Sequence, residues 1–123
     1  MSATRIENIR DVLRTLRQAS ADIIGSAILT SDGFVVASLL PSELDEELVS
    51  GMAATLIGVG ERISKEMMSS DLEQVYVRSA AGYVIANALT EQEVLVVLTT
   101  RQVKLGLIFM ELRQRTAELT RLL

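Results

Sequence analysis

The chain has 123 residues, enough for one domain with one core, and 49% of them are apolar while only 3% are aromatic. An aliphatic core follows, and so few rings argue against the stacking platforms used to hold single-stranded nucleic acid. The net charge of -4 argues further against a phosphate-backbone partner. With no cysteine and no histidine, disulfides, thiolate chemistry, imidazole or thiolate metal sites and His-assisted nucleophiles are all excluded. No apolar run approaches the roughly 18 residues needed to span a bilayer. The N-terminal stretch is charged throughout and lacks a signal-peptide core. The expectation is a cytoplasmic chain with no membrane insertion.

In chain order, Thr4 reads as an N-cap with Glu7 as its capping-box partner. Ile6, Ile9, Leu13 and Leu16 then recur at helical spacing to about Ser20, with Arg5, Arg10, Arg14 and Arg17 on the other side. Ile24 to Thr30 and Phe34 to Leu39 read as strands around Ser31-Asp32-Gly33. An Asp-Gly pair between apolar runs signals a hairpin in which both central residues can take positive φ. Pro41 closes the second strand. Ser42 or Asp45 caps the next helix, whose positive dipole end is loaded by Glu43, Glu46 and Glu47.

That helix, from about Asp45 to Met68, is the most informative segment. A rotation of about 100° per residue puts Leu48, Met52, Leu56, Val59, Ile63 and Met67 on one stripe, spaced for docking on a core. A second stripe holds Gly51, Ala54, Thr55 and Gly58, with Glu47 at one end and Arg62 and Lys65 at the other. Each interior glycine costs about 1 kcal/mol relative to alanine, which points to close approach of another backbone. Against an antiparallel copy, Gly51 faces Gly58, Ala54 faces Thr55 and Glu47 faces Arg62 about one two-fold axis, the pattern of an isologous contact. The alternative is packing on a neighbouring element of the same chain. The third side carries Ser50, Ala53, Ile57, Glu61, Ser64 and Met68.

Leu72 to Ser79 alternates like a half-exposed strand, Ala80-Ala81-Gly82 turns, and Tyr83 to Leu89 is a strand. Thr90 to Glu93 connects to Val94–Thr99, a near-continuous apolar run that suits a strand buried on both faces. The last helix spans about Val103 to Leu122 with Leu105, Ile108, Phe109, Leu112 and Leu119 inward. Its Leu107 and Met110 fall off that face. The order α-β-β-α-β-β-β-α predicts an α/β sandwich with a five-stranded antiparallel sheet, as one domain over residues 1–123 without linker or repeat. Sheet edges are a liability. The strand carrying Val75 and Val77 directly follows the self-complementary helix, so the same axis could pair it with its copy and continue the sheet across a homodimer.

Little in the chain reads as chemistry. Glu43, Asp45, Glu46 and Glu47 are explained by the helix start and lack the alternating spacing and central glycine of a calcium loop. Ser31-Asp32 is explained by its turn, and Ser26 has no nucleophile-elbow context. Lys65 and Lys104 lie in no fully buried run. Gly51, Gly58 and Gly60 lack the strand before them and the Gly-Lys-Ser/Thr ending of a phosphate loop. The expectation is no catalytic residue, no cofactor and no metal. A small-molecule sensor would need a pocket with convergent polar groups.

The hairpin GSAILTSDGFVVAS, the helix LVSGMAATLIGVGERI, the strands GYVIANALTEQEVLVVLT and the final LGLIFMELRQRTAEL together resemble the Roadblock family, from about Thr4 to Arg121. These are small proteins related to the dynein light chain roadblock and to prokaryotic partners of Ras-like GTPases. The resemblance implies a Roadblock/profilin-like sandwich dimer that is not an enzyme. Its implied partner is a small Ras-like GTPase, whose nucleotide cycle it modulates as an activator or effector, in a prokaryotic cytoplasm. By position, docking would fall on Ser50, Ala53, Ile57, Glu61 and Ser64, and the dimer contact on Glu47, Gly51, Ala54, Thr55, Gly58, Arg62, Val75 and Val77. The alternative within the family is a structural adaptor, similar to motor light chains, that binds protein segments regardless of nucleotide. The sequence ends at Leu123, without the tail some members use to modulate their partners.

Overall fold

A computed structural model describes residues 2–123. The elements are α1 (Ser2–Ala19), β1 (Ile23–Thr30), β2 (Val35–Leu39), α2 (Glu46–Met68), β3 (Gln74–Arg78), β4 (Gly82–Ala88), β5 (Glu93–Thr100) and α3 (Leu105–Leu122). The order matches the sequence reading. The sheet runs β2-β1-β5-β4-β3, with every neighbouring pair antiparallel. The chain is therefore a three-layer sandwich, with α1 and α3 side by side on one face and α2 alone on the other.

The core divides accordingly. Ile9, Leu13 and Leu16 of α1 and Ile108, Leu112 and Leu119 of α3 meet Ile28, Ile85, Leu95 and Val97. On the opposite face Ala53 and Ile57 of α2 meet Ala27, Leu29, Ala86, Val94 and Val96. Successive residues of β5 thus alternate between two buried faces, which is why that run reads as uninterrupted apolar sequence.

Two local expectations change. α1 begins at Ser2, so Thr4 is inside the helix and does not cap it. In the first hairpin only Gly33 has positive φ, at +96°, and Asp32 does not. The loop has the three residues Ser31-Asp32-Gly33 expected between the strands. Thr30 and Phe34 close it through the Thr30 amide and Phe34 carbonyl (2.7 Å), and the Gly33 amide returns to the Thr30 carbonyl (2.9 Å). That is a tight turn followed by a left-handed glycine. Asp32 instead accepts a hydrogen bond from the Thr30 hydroxyl at 2.6 Å.

Asp45 caps α2, its carboxylate accepting from the Glu47 amide at 3.0 Å and the Leu48 amide at 3.3 Å. Ser69 ends the helix in the left-handed region. The β3–β4 turn requires Gly82, where φ is +154° and an added Cβ would lie 1.9 Å from the Thr99 carbonyl oxygen. Gly58 is the opposite case, since a Cβ there meets nothing within 4 Å. In denaturant unfolding, Gly82→Ala is expected to cost at least about 2 kcal/mol, from backbone strain plus collision. Gly58→Ala is expected to gain up to about 1 kcal/mol of helix propensity.

Candidate functional site

The side of α2 that meets the sheet is the one with small residues at Ser50, Ala53 and Gly60 around Ile57. These four positions are buried, and the sheet beneath presents Ala27 and Ala86. Small groups on both surfaces let the helix sit close. Ser50 tolerates burial because its hydroxyl donates to the Glu47 carbonyl at 3.1 Å. The docking assignment of Ser50, Ala53, Ile57, Glu61 and Ser64 is therefore corrected. The first three lie under the helix. The other two are half-buried, Glu61 accepting from the Leu72 amide (3.5 Å) and Ser64 donating to the Ser70 carbonyl (2.8 Å).

The stripe read as the core face is corrected as well. Leu48, Met52, Val59, Ile63 and Met67 are 62%, 63%, 54%, 50% and 76% exposed, and only Leu56 is half-buried. The periodicity was right and its phase was not: helical spacing orders the stripes around the axis without saying which one faces the sheet.

The two flanks of α2 differ. On one, Ala54 and Gly51 sit under the hairpin tip, 3.7 and 3.9 Å from where a Cβ on Gly33 would be. Part of the small-residue stripe is thus filled by the same chain, the alternative the sequence leaves open. On the other flank Gly60 abuts Leu72 and Val75 at the start of β3. Here Leu48, Val49, Met52 and Leu56 form a trough of about 240 Å³ with Val84 of β4 and Leu98 of β5. Val77, 47% exposed, is the direct cross-strand neighbour of Val84. β3 pairs only with β4, so its outer edge is unpaired among the described residues. Tyr76 points to the other face, its ring 6.1 Å from Tyr83 and 5.8 Å from Phe109. Sequence reasoning missed Val84 and Leu98, half-buried on the α2 face of the sheet, whose place in this trough is not legible without the phase of α2.

An open cleft of about 920 Å³ lies between the end of α2, β3, β4 and α3. Several of its polar groups bond one another. Asn87 accepts from the Gln74 amide (2.8 Å) and donates to the Thr116 hydroxyl (3.5 Å). Lys65 lies 3.7 Å from Glu61 and 3.8 Å from Asp71. Among the described residues no group of three or more acidic side chains is placed to hold a metal ion. Glu46 takes the Ser38 hydroxyl, and Asp45 is the cap. No helix among these residues is long and apolar enough to cross a membrane.

The arrangement combines an exposed apolar stripe, an adjoining trough and a sheet edge unpaired among the described residues. Residues 10–99 match the family model described as the Roadblock/LC7 domain. The chain belongs to the Roadblock/LC7 family. It is 43% identical over 84 residues to the uncharacterised protein MJ0714 of Methanocaldococcus jannaschii, covering 68% of this chain and 70% of that one. Its fold is shared with Myxococcus xanthus MglB (TM-score 0.86, 16% identity, 94% of this chain and 87% of that one). It is also shared with a Roadblock/LC7 domain from Streptomyces avermitilis (TM-score 0.83, 16% identity, 89% and 92%).

The orientation of α2 is directly testable. Ile57→Ala should lower unfolding stability by about 2–4 kcal/mol, the cost of a cavity under the helix. Val59→Ala at protein concentrations low enough to keep the chain monomeric should change it by less than about 0.5 kcal/mol.

Proposed function

We propose that this chain is a homodimeric, non-catalytic regulator that binds a small Ras-like GTPase in the cytoplasm and modulates its nucleotide cycle. The observation that carries the reading is the exposed apolar stripe of α2 together with the open outer edge of β3, in a chain of the Roadblock/LC7 family. Contiguous exposed apolar surface of this kind marks an association site. The occupant of the stripe is a second copy, because the stripe complements itself. About a two-fold axis near Thr55 and Leu56, Leu48 of one copy meets Ile63 of the other and Met52 meets Val59. Val77, with the trough, then lies under the second helix, and the two β3 strands continue the sheet. The acidic first turn of each α2, Glu46 and Glu47, comes near Arg62 and Lys65 of the other copy.

This register shifts the contact inferred from sequence. Thr55, Val75 and Val77 stay in it. Ala54 is occupied by its own hairpin tip. Glu47 and Arg62 would meet at the ends of the contact, Gly51 lies beside its own hairpin tip, and Gly58 sits on the outward crest of α2; two such crests side by side make a low, flat face for the GTPase. Such a face would act by differential affinity for one switch conformation, as any ligand that shifts an equilibrium must. Residues on the partner would supply the chemistry.

A nucleotide-indifferent adaptor is the second reading, favoured by the other sheet edge. Phe34 is 70% exposed at the start of β2, and an extended segment could add there as a strand.

The test has two parts. Mass across a dilution series should give a dimer for the native chain. Met52→Lys with Val59→Lys should give a folded monomer, whereas Gly58→Leu should stay dimeric; the reverse pattern restores the glycine-stripe contact and sinks this register. Immobilised protein should then retain a Ras-like GTPase loaded with a GTP analogue at least about tenfold better than the GDP form, a difference of about 1.4 kcal/mol. Equal retention of both forms would move the function to the adaptor.

A further inference from the structure

The two outer faces of this acidic chain have opposite sign. Residues 41–73, which include α2, hold eight acidic and two basic residues. α1 together with residues 104–122 holds eight basic and four acidic ones. Within that helix layer Asp11 is paired with Arg14, and Glu111 and Glu118 both with Arg115, which leaves Glu7 as the one acid without an ion pair among the described residues. Arg5, Arg10, Arg17, Lys104 and Arg121 are all exposed and likewise have no ion-pair partner there, whereas Arg113 borders the open cleft. The net charge of -4 thus hides a cationic surface. Charges beyond about 8 Å are screened at physiological salt, so a flat partner pressed to this layer feels the local sign rather than the total.

Two apolar side chains stand among the cations. Leu107 and Met110 are 57% and 53% exposed, on the side of α3 opposite the buried Ile108, Leu112 and Leu119. We propose that the α1–α3 face adsorbs to the surface of an anionic lipid bilayer, with the arginines on the headgroup phosphates and Leu107 and Met110 at the acyl boundary. A basic face with protruding apolar side chains is the composition that such adsorption uses, and it requires no helix to insert. A nucleic-acid duplex fits less well. Its backbone offers nothing to Leu107 and Met110, and the layer has no element that projects to enter a groove. The face exists on a single chain. The dimer proposed above would place two copies of it on the same side of the joined sheet, away from the α2 crests, so the GTPase face would look into the solvent.

Co-sedimentation of the native chain with vesicles tests this, without any GTPase present, so failure here leaves the regulator reading standing. The chain should pellet with vesicles of equal parts phosphatidylglycerol and phosphatidylcholine at about 50 mM salt, and be released at about 500 mM. It should not pellet with phosphatidylcholine alone. Arg10→Gln, Arg17→Gln and Arg121→Gln together should weaken partitioning at least about tenfold. Leu107→Ser with Met110→Ser should weaken it independently, in a protein whose circular dichroism and melting match the native chain. Absence of binding to the anionic vesicles at low salt, equal binding to neutral ones, or no effect of either set of substitutions would overturn the proposal. Tighter binding to a duplex oligonucleotide than to the vesicles would do so too.

Discussion

The close seating of α2 on the sheet is the constraint from which the exposed surface follows. Ala27 and Ala86 on the strands and Ser50, Ala53 and Gly60 on the helix leave room for backbone and little else, with Ile57 filling the one deeper position. A helix held that near cannot also turn its long side chains downward. Leu48, Met52, Val59, Ile63 and Met67 are consequently displaced to the outer flank. Full burial of such a side chain is worth about 1.5–3 kcal/mol, and a lone chain leaves most of that unrealised. The exposed apolar stripe is therefore the physical complement of the packing that builds the domain.

The same constraint separates the two edges of the sheet. β2 is short, carries a register irregularity opposite Ile28 and Leu29, and leads through Pro41 into the α2 cap. Bulges and short strands are the usual means of blunting an edge. β3 pairs with β4 through five residues without a register shift, and its Val77 lies opposite Val84, which lines the apolar trough. An edge that is regular, open and next to unburied apolar surface is suited to pairing with a second copy of itself, whereas the short, irregular one has room only for a brief extended segment. The position of α2 thus determines which edge has a reason to meet another copy.

The order of the elements was legible because each boundary has its own chemistry: Asp45 at a cap, Gly33 and Gly82 where the backbone demands positive φ, and alternation that ends at Pro41. Asp32 misled because a three-residue loop uses the same Asp-Gly pair as a two-residue one with only the glycine left-handed. The phase of α2 was illegible for a deeper reason. All three of its stripes are apolar or small, so hydrophobicity does not rank them, and the most apolar stripe was assigned inward by the rule that holds for a helix with one buried face. A helix that packs on a sheet and also leaves a self-complementary stripe outward breaks that rule. What decides its phase is size, since small residues mark the close contact, and the match becomes visible only when the strands beneath show alanine at the same place.

Charge was misread by a similar route. The acids near the start of α2 and the arginines near the ends of α1 and α3 each have a local reason in the helix dipole. Read along the chain they cancel to a small net value. In space they do not cancel, because the topology sends α1 and α3 to one face and α2 to the other. Charges that include these capping groups are thereby sorted into two faces of opposite sign, and a partner that meets only one of them responds to that face. The fold, more than the composition, sets the electrostatic character of each surface.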